Sequence, residues 1–329
     1  MARTLVSLPP GVQAALAALV GSMRPRDVSK ATKALSERYR QGGRSRGTDL
    51  IKTDDELRAY AVSRFPATFA AAVAAFEECA RAAPGWRPVS VLDVGSGIGA
   101  TALACIQVWP SLERVTCIER DARAVAAGSR VASEVLPRVA VNWVRTDMLD
   151  PLPDGEFDLV TSAYSMSELV EDAAVATARR LWARTRGLLI LVEPGRPDAY
   201  ALLMRIRDTL IGAGADVLAP CPHSERCPLL GSDWCHFGQR LPRTTLHRAA
   251  KAATLSYEDE KYSYVALSRG AATQHSPRVI RRPVRHKGLV TLELCTTNGV
   301  LRVPVPRSNA TAYPAAKRVL WGQTFEWDE

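Results

Sequence analysis

One stretch, VSVLDVGSGIGA, constrains the fold more than any other part of this chain: an apolar run ends in glycines at 95, 97 and 99 and passes directly into ATALACIQVW. A short run of this kind, bounded by turn residues, reads as a strand buried on both faces, and the glycines supply backbone angles that a Cβ atom resists. The rhythm then repeats, through RVTCIER ending near Glu119, DARAVAAGSRVASEV, VAVNWVRTD, FDLVTSAYSM and GLLILVEPG. Alternating strand and helix signals predict an α/β fold with a doubly wound, largely parallel sheet.

The flanks read differently. Residues 12–83 carry apolar side chains at helical spacing, broken by QGGRSRGTD, which reads as a flexible basic loop. Beyond the alternating core, DAYALLMRIRDTLIGAG predicts a helix and YSYVALSR a strand, while GLVTLELCTTNGVLRVPV gives two alternating runs hinged on Asn298-Gly299, a strong hairpin signal. The expected organisation is a helical N-terminal extension over 1–84, an α/β domain over 85–270 with a cysteine-rich insertion at about 219–240, and a C-terminal β extension over 271–329. With 329 residues, 47% of them apolar, the chain can build one core of about 200 residues with smaller pieces attached.

No stretch of about 18 apolar residues is free of charge, so no helical membrane span is expected. The N-terminal apolar patch is interrupted by Pro9, Pro10, Gly11 and Gln13, which reads as Pro-Pro followed by an amphipathic helix rather than a signal peptide. Cytoplasmic residence is the expectation that follows.

Charge points to a polyanionic partner. The formal net charge is +9 and the excess is clustered: Arg278, Arg281, Arg282, Arg285 and Lys287 lie in RVIRRPVRHK, which has no acidic residue. Arg240, Arg243, Arg248 and Lys251 form a second group, and Arg38, Arg40, Arg44 and Arg46 a third. A single cluster is ordinarily a solvated face, but three without balancing acids favour RNA.

Seven cysteines divide into two sets. Cys79, Cys105 and Cys117 lie in apolar helix or strand patterns and read as core residues of a reducing compartment. Cys221, Cys227 and Cys235 stand in the loop CPHSERCPLLGSDWC with five and seven residues between them, and Cys295 follows 59 residues beyond. Four soft thiolates suit tetrahedral zinc or a four-cysteine iron–sulfur cluster, and spacing alone does not separate the two, although the lack of C-x2-C pairs leans toward the cluster. His223 and His236 stand beside these candidates and read as neighbours rather than ligands.

The glycine loop is not the G-x-G-x-x-G of a dinucleotide site; with Asp93 before it, Glu119 at the end of the next strand and Asp147 after the third, it resembles the cofactor site of class I S-adenosylmethionine-dependent methyltransferases. The resemblance covers roughly residues 85–200. It implies that Gly95, Gly97 and Gly99 line the methionine portion, that Glu119 accepts from the ribose hydroxyls, and that Asp147 faces the adenine amine. No catalytic residue is assigned: after the fourth strand the sequence reads SAYSMSEL instead of an Asn/Asp-Pro-Pro-aromatic motif, and no cysteine lies between Cys117 and Cys221. Tyr164, Ser165, Ser167 and Glu168 are candidates for positioning a ligand, against the plainer expectation that Glu168 begins a helix capped by the serines.

Over about residues 60–325, the segments CPHSERCPLLGSDWCHF, YSYVALSR and RVIRRPVRHKGLVTLELCTTNG, following such a core, resemble the methyltransferase-like assembly factors of the mitochondrial small ribosomal subunit and their bacterial relatives. That resemblance implies a [4Fe–4S] cluster on Cys221, Cys227, Cys235 and Cys295, binding to small-subunit ribosomal RNA, and a cofactor fold whose methyl transfer is lost in the mitochondrial members. Two other functions remain open at this point: an active ribosomal RNA methyltransferase, and a zinc-stabilised methyltransferase of small molecules.

Overall fold

A computed structural model describes residues 5–40, 51–270 and 276–327. The basic loop around Gly42–Asp49, with Arg44 and Arg46, lies outside the described residues, as does the side chain of Arg40.

Four helices come first: α1 (Pro10–Val20), α2 (Pro25–Arg40), α3 (Asp54–Ser63) and α4 (Phe65–Ala82). α3 starts where Thr53 Oγ1 accepts the Glu56 N–H at 3.2 Å and three acidic residues fill the first turn, favourable at the positive end of a helix. α4 is apolar nearly all round and nearly all buried, which fits a helix packed centrally against the sheet rather than along one edge.

The main sheet follows: β1 (Ser90–Val94), β2 (Arg114–Glu119), β3 (Ala140–Arg145), β4 (Phe157–Ala163), β5 (Thr185–Pro194), β6 (Asp216–Ala219), β7 (Phe237–Pro242) and β8 (Tyr257–Ser268), interleaved with α5 (Ala100–Val108), α6 (Ala122–Val135), α7 (Glu171–Ala183), α8 (Pro197–Ile211) and α9 (Thr245–Ala250). Strand order is β3-β2-β1-β4-β5-β8-β6, with β7 also paired to β8. β1 to β5 are parallel, as their buried apolar runs predict. β8, expected only as one more strand, runs antiparallel to β5, β6 and β7, so the sheet is mixed at this edge. The architecture is that of the class I methyltransferase fold, and the order reverses between β1 and β4, where an open α/β sheet leaves a crevice at the carboxyl ends of its strands.

A second, antiparallel sheet comprises β9 (Arg278–Val279), β10 (Val284–His286), β11 (Leu289–Thr296) and β12 (Gly299–Pro306), followed by α10 (Tyr313–Arg318). The Asn298-Gly299 hairpin forms as its sequence predicts, with Thr296 opposite Gly299. Val290, Leu292, Leu294, Val303 and Val305 pack with Ala316, Val319 and Phe325 in a core of its own. Cys79, Cys105 and Cys117 are fully buried, as expected of core residues. Among the described residues no single helix is long and apolar enough to cross a membrane.

Candidate cofactor cleft and cysteine centre

The crevice at the reversal point opens into a cleft of about 1240 Å³. Gly95, with φ 74°, is held where a Cβ would lie 2.6 Å from that of Ser165, and Gly97, with φ 55°, where a Cβ would lie 3.0 Å from the Tyr60 hydroxyl. At these two positions the loop can be built only from glycine, and its backbone becomes part of the wall. Glu119, at the end of β2, accepts the Gly97 N–H at 2.9 Å and the Asp121 N–H at 3.0 Å, so its carboxylate is fixed by the loop it faces. Burial raises its pKa. Asp147 is half-buried, accepts the Leu149 N–H at 2.9 Å and pairs with Arg120 at 3.4 Å.

Of the six cofactor candidates, Gly95, Gly97, Glu119 and Asp147 line the cleft together. Gly99 lies behind them as the N-cap of α5. Asp93 lies fully buried beneath the loop, its Oδ1 accepting from Thr161 Oγ1 at 3.1 Å and its Oδ2 without a partner; burial pushes its pKa up to about 7.

The segment after β4 differs from its plain reading. Glu168 ends a single 3-10 turn, Met166–Glu168, and α7 starts only at Glu171. Instead of a serine, Glu193 of β5 caps that turn, its Oε1 accepting from the N–H groups of Ser165 (3.2 Å) and Met166 (2.8 Å). Tyr164 precedes the turn at φ 58°, a conformation that a bulky residue adopts only where its surroundings enforce it, as functional sites often do. Its hydroxyl donates to Glu260 at 3.0 Å. Burial raises Glu193 to about 7 and Glu168 to about 8, the latter helped by the Glu193 charge.

Sequence reasoning missed three contributors to the walls: α2, through Ser29, Thr32, Lys33 and Ser36; Tyr60 of α3 with nearby Arg64; and the β8 residues Asp259, Glu260 and Lys261. The polar stripe of α2 at helical spacing was the available signal.

The four cysteines come together although Cys295 is far from the rest in sequence. All four line one small cavity with Tyr200, Met204, Phe237 and Arg278. The Tyr200 hydroxyl lies 2.8 Å from Cys227 Sγ, and His223 Nε2 lies 3.8 Å from Cys295 Sγ. Burial pushes the Cys295 thiol up to about 12 and raises Cys221 and Cys235, with neighbouring cysteines adding to the rise. Two buried guanidiniums oppose this at Cys221. Arg207 is fully buried, with Nη2 bonded to the His223 and Glu225 carbonyls and Nε without a partner, while Arg278 donates to Pro220 O, Glu78 Oε2 and Gly322 O. Among the described residues no group of three or more His, Cys, Asp or Glu stands in metal-coordinating geometry.

The basic residues sort sharply. Arg278 is 4% exposed and ion-paired with Glu78 at 2.9 Å, so it cannot touch RNA, contrary to the reading of RVIRRPVRHK as one exposed cluster. Arg240 makes a two-point pair with Asp259, Arg243 and Lys251 share Glu258, and Arg281 pairs with Asp233. Arg282, Arg285 and Lys287 are exposed.

A family model described as mitochondrial small ribosomal subunit Rsm22 matches residues 54–326. The chain belongs to the Rsm22 family. The human mitochondrial ribosome assembly protein METTL17 is 29% identical over 297 residues, covering 83% of this chain and 63% of the human protein. The Rsm22-cox11 tandem protein 2, mitochondrial, of Schizosaccharomyces pombe (strain 972 / ATCC 24843) is 26% identical over 286 residues, covering 71% of this chain and 38% of that protein. This Rsm22-family chain therefore spans less than two thirds of the length of either relative. Among solved structures, magnesium protoporphyrin IX methyltransferase from Synechocystis PCC 6803 with bound SAM aligns with a TM-score of 0.42 at 14% identity, over 76% of this chain and 100% of that one. The expected cytoplasmic residence is corrected by these relatives: the family description and both curated names are mitochondrial, so the comparisons point to the mitochondrion.

Proposed function

We propose that this chain is an assembly factor of the small ribosomal subunit that holds S-adenosylmethionine in the β1/β4 cleft, carries a four-thiolate centre, and meets ribosomal RNA through exposed arginines and lysines. Membership of the Rsm22 family and the assembly role in the human relative's name support the partner.

The observation that carries the cofactor reading is the convergence of Gly95, Gly97, Glu119 and Asp147 on one cleft. Backbone bare of Cβ atoms admits the amino-acid end of a nucleoside cofactor, and a carboxylate at a strand's carboxyl edge accepts from a vicinal diol in two places.

The donor set has the chemistry of a soft metal centre, although among the described residues the thiols do not stand in coordinating geometry. Four thiols share a cavity walled by apolar side chains, and two buried guanidiniums stand by it. Four thiolates around an iron–sulfur core or zinc leave a charge of about −2, and Arg207 and Arg278 stand beside it, each also paired with a carboxylate, Asp208 at 2.6 Å and Glu78 at 2.9 Å. We read the centre as [4Fe–4S] on Cys221, Cys227, Cys235 and Cys295, with zinc as the alternative. When bound, it supplies a cross-link. The chain's own residues do the rest: Cys295 ties β11 to the loop between β6 and β7, and Arg278 ties β9 to α4.

Arg285 and Lys287 are the phosphate contacts of this reading, joined by Arg282, which is exposed and only loosely paired with Asp259 at 3.5 Å, whereas Arg240 and Arg243 would first have to give up their carboxylates. Chain purified without oxygen should contain iron and sulfide and absorb near about 400 nm, whereas zinc gives no such band. Metal-free chain whose melting curve matches the native one would remove the centre. Calorimetry with S-adenosylmethionine tests the cleft, and co-sedimentation with immature small subunits tests the partner.

A further inference from the structure

The family match begins at residue 54, so α2 lies outside it, yet α2 builds one wall of the cleft. Ser29, Thr32, Lys33 and Ser36 recur at i, i+3, i+4 and i+7, a single helical face, and all four line the cavity. Thr32 is only 5% exposed and its hydroxyl has no hydrogen-bond partner. A buried hydroxyl of this kind is costly until something binds it, and a ligand oxygen would satisfy it.

The cleft is also larger than one cofactor requires. Small-ligand sites usually enclose about 300–1,000 Å³, and this one has about 1240 Å³. With a nucleoside cofactor at Gly95, Gly97, Glu119 and Asp147, the remaining space is bounded by α2, Tyr60, Arg64, Tyr164 and the segments at Lys251 and Lys261. Most acids on this side are engaged, Asp198 with Arg196, Asp259 with Arg240 and Arg282, and Glu260 with the Tyr164 hydroxyl, while Glu168 is buried and its pKa is raised to about 8, which keeps it largely uncharged at neutral pH. Lys33 and Lys261 are exposed and, among the described residues, form no ion pair.

We propose that this second compartment receives one unstacked nucleotide of RNA, its base against the Tyr60 and Tyr164 rings, its sugar or phosphate oxygen on Thr32, and its flanking phosphates at Lys33 and Lys261. Aromatic rings and unpaired lysines are the usual means of holding an unstacked nucleotide, and they suit it better than a peptide, which would want free acceptors for its amides. The compartment rests on the RNA reading above but goes beyond it, because it puts the nucleotide beside the cofactor instead of on the C-terminal surface.

The test is fluorescence anisotropy of the full chain, saturated with S-adenosylhomocysteine, against a labelled single-stranded RNA hexamer at low salt. Lys33→Glu and Lys261→Glu should each weaken binding about tenfold, and Thr32→Val about threefold. Lys30→Glu makes the same charge change on α2 away from the cleft and should have little effect. An equal loss in Lys30→Glu and Lys33→Glu would mean general electrostatics and overturn the compartment, as would weaker hexamer binding by the saturated chain than by the cofactor-free one. If Lys33→Glu binds like wild type while Arg282→Ala with Arg285→Ala does not, the compartment falls and the RNA reading stands. If wild type binds no RNA, both fall. Lys33 and Lys261 are exposed, so these outcomes do not depend on whether Thr32→Val folds.

Discussion

The cleft and the cysteine centre solve opposite problems. The cleft holds its shape through its own chain: Gly95 and Ser96 N–H groups bond to Ile118 O at 2.9 Å, and Glu119 clasps the loop from the other side. Its contours do not depend on a ligand. The cysteine centre instead gathers thiols whose pKa values burial raises beside two buried guanidiniums, Arg207 paired with Asp208 and Arg278 with Glu78. One region is pre-organised by backbone geometry, and on the reading proposed above the other would be completed by what it binds.

The largest effect should come from breaking the link between them. Arg278 and Glu78 are 4% and 3% exposed and 2.9 Å apart, joining β9 to α4, which packs on the main sheet. Arg278→Ala leaves the buried Glu78 carboxylate to the half-exposed Arg81 alone, 2.7 Å away, and should cost about 3 kcal/mol, the lower end of the range for a broken buried pair. Arg240→Ala, in a pair about one-third exposed, should cost about 0–1 kcal/mol. Chemical denaturation of both variants checks this; equal costs would mean that the buried pair does not hold the second sheet in place.

That pair also marks the limit of what the sequence disclosed. The parallel strands, the glycine turn and the Asn298-Gly299 hairpin were legible because each is encoded locally, by an apolar run or by residues that tolerate unusual backbone angles. The four cysteines were legible by their chemistry. Arg278 was misread because its partner is 200 residues away, and nothing within RVIRRPVRHK separates the buried arginine from the exposed ones. The antiparallel course of β8 was hidden for a related reason: a buried strand reads alike in either direction, and its pairing is set by distant segments. The α2 wall escaped notice because polar residues on one helical face ordinarily mean solvent.

A smaller effect should appear in the cleft. Glu119→Ala removes the acceptor proposed for a ribose diol and should weaken S-adenosylmethionine binding by about 1.5–3 kcal/mol. Because Glu119 also holds Gly97 and Asp121 N–H groups, the melting temperature should fall too, whereas Glu119→Gln keeps one acceptor oxygen and should lose less of both. Calorimetry on the two variants separates the roles. Unchanged affinity in Glu119→Ala would remove the ribose assignment while leaving the glycine loop intact.

The smallest effect concerns pH and sets the two regions apart without a ligand. Burial raises Glu193 and Asp93 to about 7 and Glu168 to about 8, from ordinary values near 4. Between pH 4.5 and 8 the folded chain thus binds more protons than the unfolded one, so the stability held below pH 4.5 drains away as pH rises through the folded values. Asp158, Asp259 and Glu258, whose pKa values are lowered, lose their contribution only in more acidic solution, while His223 and His236, lowered by burial, oppose the slope only up to about pH 6.5 and leave the fall above it intact. Cys221, Cys235 and Cys295, whose thiols are raised above an ordinary value of about 8.5, add to the fall only at its alkaline end. The melting temperature of metal-free chain should fall from pH 5.5 to 8.5, and Glu193→Gln, which keeps the carbonyl oxygen that caps the turn after β4 and cannot ionise, should flatten the fall and exceed wild type at the alkaline end. If Glu193→Gln falls as steeply as wild type, Glu193 is charged throughout and the cleft carries its carboxylates without the proton that burial assigns them.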